Sequence, residues 1–224
     1  MSRSDQSPSC DLGALRTHRR QLTLPSKGAA LFVCLLLLGA AALPAQTPVL
    51  NYQLDGNYLD DQGVGAPLDP HGGTLVDSRY IFGPNQGLGL DLAGTLVDTA
   101  DYTIVVTMEY DSLSPTWKKV IDFEGGIADP GVYMVDGRVA FWTLFTRGGP
   151  GLATANTDVQ LVLTRDGATD TVKAYLDGVL QWSAFDGAPP PQAVSSIGSL
   201  IFFEDDNAGS EAQAGSVECI AIYD

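Results

Sequence analysis

From residue 49 onward, apolar and polar positions alternate over short runs, and turn residues separate the runs. The stretch LVLTRDGATDTVKAYLDGVLQWS (161–183) is representative. It holds three β-branched and aromatic runs, broken at Asp166-Gly167-Ala168-Thr169-Asp170 and at Asp177-Gly178. A period of two over a few residues marks a half-buried strand. The same pattern predicts strands at Val49–Leu54, Gly87–Leu92, Tyr102–Tyr110, Lys119–Glu124, Gly131–Val135, Arg138–Phe145, Asp158–Arg165, Thr171–Leu176, Val179–Ser183, Ser199–Phe203 and Ser216–Tyr223. No useful length of this region carries a helical period. Asp136-Gly137 and Asp177-Gly178 suit two-residue hairpins, because glycine accepts a positive φ at little cost. Ala188–Gln192 (APPPQ) reads as a rigid extended connection. About a dozen strands at this spacing predict an all-β sandwich or barrel. We find no internal repeat and no linker long enough for a second domain.

The first 45 residues follow another rule. Arg16, Arg19, Arg20 and Lys27 precede GAALFVCLLLLGAAALPAQ, an apolar run that ends in small residues. That order is the order of a secretory signal peptide. The run from Gly28 to Leu43 is short beside the roughly 20 residues a membrane span needs. We expect residues 1–45 to be a signal peptide cleaved near Ala42 or Ala45, with an uncleaved anchor as the competing reading. Residues 46–224 then form one exported domain, secreted, extracellular or periplasmic, with no membrane span. Phe32-Val33 stands where an acylated Cys34 would need small residues.

Cleavage changes the charge balance. The leader holds five of the 12 Lys and Arg and two of the 27 Asp and Glu, leaving 7 basic and 25 acidic groups, a formal net of −18. Such a chain is repelled by nucleic acid and by anionic membranes. Cys219 alone would survive cleavage, and its place in SVECIAIYD predicts a buried thiol in the last strand.

With the meander in place, a family resemblance emerges. LVLTRDGATDTVKAYLDGVLQWSAFD, then LIFFEDDNAGSEAQAGSVECIAIYD, with NYQLDGNYLDDQG near the start, resembles the laminin G-like domains of the concanavalin A-like lectin/glucanase superfamily, the bacterial exported variety above all. The similarity covers residues 49–224. It implies a jelly-roll sandwich of two antiparallel sheets in which the first and last strands commonly pair. It also implies a module that binds glycans, matrix or other proteins, often with calcium; some relatives are glycoside hydrolases. Fold does not choose among these roles.

Two constellations could carry chemistry. Asp205, Asp206, Asn207 and Glu211 fall within one Gly-containing loop, and calcium takes six to eight oxygens from such groups. The spacing is not that of an EF-hand, so other segments would have to complete the site. The resemblance suggests that Asp55, Asn57 or Asp60 of the first loop could approach if the terminal strands pair. An Asx-rich turn capping its own backbone amides is the alternative. The second constellation is aromatic. Alternation puts Phe141 and Phe145 on one face of their strand and Ala140, Trp142 and Leu144 on the other, so both faces are apolar. Either the strand is covered on both sides or one face lines a groove. Trp142, Trp182 and Tyr133 are therefore candidate sugar platforms as well as candidate core, with Arg147 beside them in a Gly-rich rim, Arg147–Gly151.

Catalysis has less support. Glucan-cleaving relatives carry Glu-x-Asp followed closely by a second Glu. Here Glu109-Tyr110-Asp111-Ser112-Leu113-Ser114 lacks that second Glu, one half of the required pair. If Tyr102–Tyr110 and Lys119–Glu124 formed a hairpin, Glu109 and Asp122 would become diagonal neighbours and could substitute. His71 in PHGGT lacks the surroundings of a serine nucleophile, and no Cys/His spacing suggests zinc. The sequence therefore predicts an exported, non-catalytic binding module for carbohydrate or a glycosylated surface. Calcium is its candidate ion and a protein-adhesion role its main competitor.

Overall fold

The computed structural model describes residue 10 and residues 46–95, 97–144, 148–206 and 209–224. Among them, fourteen strands and no helix occur: β1 (Leu50–Tyr52), β2 (Asp69–His71), β3 (Thr74–Val76), β4 (Arg79–Phe82), β5 (Gly87–Asp91), β6 (Tyr102–Tyr110), β7 (Lys118–Asp122), β8 (Gly131–Val135), β9 (Arg138–Trp142), β10 (Val159–Asp166), β11 (Thr171–Leu176), β12 (Val179–Phe185), β13 (Ser199–Phe202) and β14 (Gly215–Tyr223). All pairings are antiparallel. One sheet runs β12-β11-β10-β6-β14-β4-β3, with β1 also on β14; the other runs β2-β5-β13-β7-β8-β9. The first and last strands pair, Leu50 opposite Ile222 and Tyr52 opposite Ile220.

The core lies between the sheets, and alternation builds it. Ile104, Val106 and Met108 of β6 meet Val132 and Met134 of β8 and Val139 and Phe141 of β9 in one buried cluster. A chain of rings runs through it from Tyr102 to Phe123, Phe141 and Trp182, with centroids 6.3, 5.9 and 6.2 Å apart. Aromatic pairs at such distances stabilise beyond their buried area. The predicted hairpin turns hold, with Asp136, Gly137, Asp177 and Gly178 all at positive φ. At the far end of the larger sheet, buried Arg165 binds Asp186 at 3.1 Å and Asp170 at 2.9 Å. Asp186 also accepts the Gln192 and Ala193 amides.

Three expectations change. β6 and β7 are not a hairpin: β6 pairs with β10 and β14 in one sheet, β7 with β8 and β13 in the other. The connection between them crosses the sandwich. Cys219 is buried but is not a thiol in the full-length chain, where it forms a disulfide with Cys10 on the outer face of the larger sheet. The Gly-rich rim is packed rather than loose. A Cβ at Gly148 would lie 1.8 Å from the Val139 carbonyl oxygen, and one at Gly149 2.0 Å from that of Gln181. Glycine lets this segment join the edges of β9 and β12. The apolar run, the expected cleavage positions, Phe145, Arg147 and Asn207 lie outside the described residues. No helix among the described residues is long and apolar enough to cross a membrane.

Candidate functional site

Cross-strand partners share a face, so the register of the smaller sheet fixes its outer side. One row crosses it as Asp69, Gly89, Ile201, Asp122, Gly131 and Trp142. Beside it, Lys119, Tyr133 and Ala140 form a second row. A solvated face should carry exposed polar groups. Here Lys119, Asp122, Tyr133 and Ala140 are all buried, although they point away from the core.

Rings cover part of this face. Trp117, in the connection before β7, packs edge-on against Tyr133 at 5.3 Å and against Trp142 at 5.4 Å. Trp117 is half-buried and Trp142 is 40% exposed. The two indoles stand nearly perpendicular, at 79°, and make an open apolar corner above Tyr133.

Beneath the corner lies an ion pair. Lys119 Nζ donates to Asp122 Oδ2 at 3.0 Å and to the Asp129 carbonyl at 3.2 Å. It also stands 4.5 Å from the Tyr133 ring centroid, a cation–π contact. The lysine stem passes over Gly131, where a Cβ would come 3.4 Å from Lys119 Cδ and 2.4 Å from the Ile121 carbonyl oxygen. Asp122 Oδ1 accepts the Glu124 and Gly126 amides. Every buried side-chain polar atom among the described residues has a partner.

The acidic loop borders the same face. Phe203 N–H donates to the Val120 carbonyl and Lys119 N–H to the Glu211 carbonyl, so Phe203 and Glu211 both lie against β7. Asp205 accepts the Glu211 amide at 2.9 Å, and its own amide donates to Asn85 Oδ1 at 3.0 Å. The Tyr133 hydroxyl donates to the Asp129 carbonyl at 2.9 Å and also faces the Glu211 carboxylate. Burial raises the Glu211 carboxyl above its ordinary range, and the charges of Asp205 and Asp129 push it the same way; Lys119 and the Tyr133 hydroxyl oppose them. Burial likewise raises the Tyr133 phenol. Perturbed acids gather at functional sites more often than elsewhere.

The nominated residues therefore separate. Tyr133, Trp142, Asp205 and Glu211 come together on one face. Trp182 does not join them: it is core, edge-on to Phe141, with its indole N–H donating to the Val139 carbonyl at 3.2 Å. Its period-two position in β12 could not reveal which sheet face was inside. Asp55 is exposed on the first loop beside Asp61. Asp60 is spent on that loop's own backbone, accepting the Asn51, Gln62, Val64 and Gly65 amides. Burial opposes its ionisation, but those four donors hold its carboxyl below the ordinary value. Asp206 stays in the acidic loop, its carbonyl taking the Gly209 amide. No group of three or more His, Cys, Asp or Glu among the described residues is placed to hold a metal, and the Asp205 carboxylate spans its own loop by accepting the Glu211 amide six residues on. Asn207, another of the candidate donors, lies outside the described residues. Glu109 and Asp122 stand in different sheets, so they are not a carboxylate pair. His71 sits on edge strand β2 with Nδ1 2.5 Å from Glu204 Oε2. Sequence reasoning missed Trp117 and Lys119. A tryptophan just before KKVID was the available signal.

No protein-family model and no curated protein sequence matches the chain. Solved structures do. Domain 4 of the GH43 extracellular arabinanase AbnA of Geobacillus stearothermophilus, in complex with arabinotriose, aligns with TM-score 0.61 and 16% identity over 79% of this chain and 92% of that one. The botulinum neurotoxin serotype D binding domain aligns at 0.57 and 13%, over 79% of this chain and 48% of its own. Trypanosoma rangeli sialidase in complex with sialic acid aligns at 0.58 and 15%, over 78% and 30%. The chain thus spans nearly all of the arabinanase domain but less than half of the other two. Identities this low establish the fold alone: a β-sandwich of two antiparallel sheets.

Proposed function

We propose that the chain is a non-catalytic carbohydrate-binding module, laminin G-like within the concanavalin A-like fold, that acts outside the cytoplasm. One observation carries the reading: an open indole corner, Trp117 and Trp142, on an outer sheet face where Lys119 and Asp122 are already paired and buried. Indole faces take the apolar face of a sugar ring, and nearby carboxylates accept its hydroxyls. The arabinanase domain bound to arabinotriose and the sialidase bound to sialic acid support a sugar as ligand for a sandwich of this shape. A glycan array probed with the folded domain is the test. We expect retention of a defined set of glycans; retention of a protein partner with no glycan bound would move the reading to adhesion between proteins.

A glycosidase is the second reading, because Glu211 is a partly buried acid with a raised carboxyl beside Asp205 and Asp129, as a general acid requires. Reducing-sugar release from the retained glycans, lost in Glu211→Gln, would establish it.

Export removes residue 10 with the leader, since the apolar run between Cys10 and the domain separates them across the membrane. We expect the exported form to lack the first 45 residues or so and to carry a free Cys219 thiol, read by intact mass before and after alkylation. An exported chain whose mass still includes the first 45 residues would show that the leader stays.

A further inference from the structure

We propose that the aromatic face selects uncharged glycans and rejects anionic ones; this rests on the binding reading above. The charges around the indole corner are one-sided. Asp122, Asp129, Asp205 and Glu211 all converge on Lys119 and Tyr133, which lie directly beneath the rings. Glu124 is anchored to the same Asp122 carboxylate through its amide.

Among the described residues, the cations nearest them are committed. Lys119 is 1% exposed, and its ammonium is held by Asp122, by the Asp129 carbonyl and by the Tyr133 ring. It cannot reach a ligand without breaking a buried pair. Lys118 Nζ donates to the Ser210 carbonyl of the acidic loop. Arg138 shares the Trp142 strand and face but lies four residues along, about 13 Å at strand spacing, and its guanidinium meets the Gly149 carbonyl. Among the described residues, no uncommitted cation stands at the corner.

A ligand carboxylate would therefore enter next to fixed carboxylates, with no uncommitted counter-charge among the described residues, at a surface where water is partly excluded. A neutral sugar meets the same carboxylates as hydrogen-bond acceptors for its hydroxyls. One set of groups thus attracts one class and repels the other, which is how specificity by repulsion works. The formal −18 of residues 46–224 adds a long-range contribution of the same sign.

The test compares glycans that differ only in charge: sialylated chains with their desialylated forms, and oligogalacturonates with their methyl esters. At low salt we expect the neutral member of each pair to bind at least about tenfold tighter, with the ratio falling toward one as salt shortens the screening length. The double variant Glu211→Gln, Asp129→Asn, confirmed as folded by near-ultraviolet circular dichroism, should shrink the ratio in low salt. Tighter binding of the anionic members, or a ratio that ignores both salt and the substitutions, overturns the inference while leaving the binding reading standing. Retention of neither member of any pair removes the binding reading itself, and this inference with it.

Discussion

The two sheets share one core but use their outer faces differently. The larger sheet alternates as a solvated face does, with Thr103, Thr107, Gln160, Thr164 and Lys173 partly or fully exposed. Its one apolar patch, Val105, Val162, Ala221 and Tyr223, lies under Cys10, whose carbonyl accepts the Tyr223 hydroxyl. The smaller sheet instead buries a lysine, an aspartate and a tyrosine on its outer side and leaves an indole open above them. Each sheet needs only one apolar face to make a sandwich. Burying ions on the other face costs desolvation, and the smaller sheet bears that cost on its outer side.

Breaking the ion pairs should sharpen this contrast most. Lys119→Met leaves Asp122 buried and unpaired, and we expect a loss of about 3–5 kcal/mol in denaturant unfolding. Arg165→Met should cost a similar amount at the end of the larger sheet, where Asp186 would be stranded. Only the first should also abolish glycan retention. Equal effects of the two on retention would erase the distinction between the faces.

The tryptophans come next. Trp182→Ala removes a core ring, with an expected cost of about 3–5 kcal/mol and affinity kept by the folded fraction. Trp142→Ala should cost about 1 kcal/mol or less in stability yet weaken binding about tenfold or more. Thermal melts and titration calorimetry on both variants read the two effects separately.

The smallest effect is a pH signature. The Glu211 carboxyl is raised on folding, so the folded state holds that proton more tightly than the unfolded state. Its ionisation works against the fold at neutral pH, and the penalty fades as pH falls through the raised value toward the ordinary 4.5. Asp60 has the opposite sign: its stabilisation is full above its ordinary 3.8 and is lost as pH drops through its lowered value. Glu211→Gln should therefore narrow its stability advantage over the wild type on acidification, whereas Asp60→Asn should narrow its deficit. Reversed signs would mean that the two acids occupy other surroundings.

Much of the fold was legible because period-two alternation is a local signal. The eleven predicted runs each became a strand. β2, β3 and β4 escaped notice for local reasons as well: Pro70 breaks the first, β3 has only three residues, and the turn between β3 and β4 uses Asp77 and Ser78 at positive φ without a glycine. Which strands pair is not local. The DSLSPTWK connection looked like a hairpin loop but carries the chain from one sheet to the other, and the supposed Glu109–Asp122 pair went with it. The site divided in the same way. Tyr133 and Trp142 were visible as aromatics open to either role, platform or core, and the acidic loop as a cluster. Their convergence depends on the Lys119–Glu211 backbone bond, which no spacing encodes. Trp182 has the same residue type and a similar strand setting, yet it faces inward.

The chain holds three tryptophans, 117 and 142 at the outer corner and 182 in the core. Their indole N–H resonances, followed while a retained glycan is titrated to saturation, test the central claim directly. We predict that the Trp117 and Trp142 signals move together along the binding isotherm while Trp182, bonded to the Val139 carbonyl in the core, stays in place. Saturable binding that leaves Trp117 and Trp142 unmoved would contradict the account and place the ligand elsewhere on the molecule.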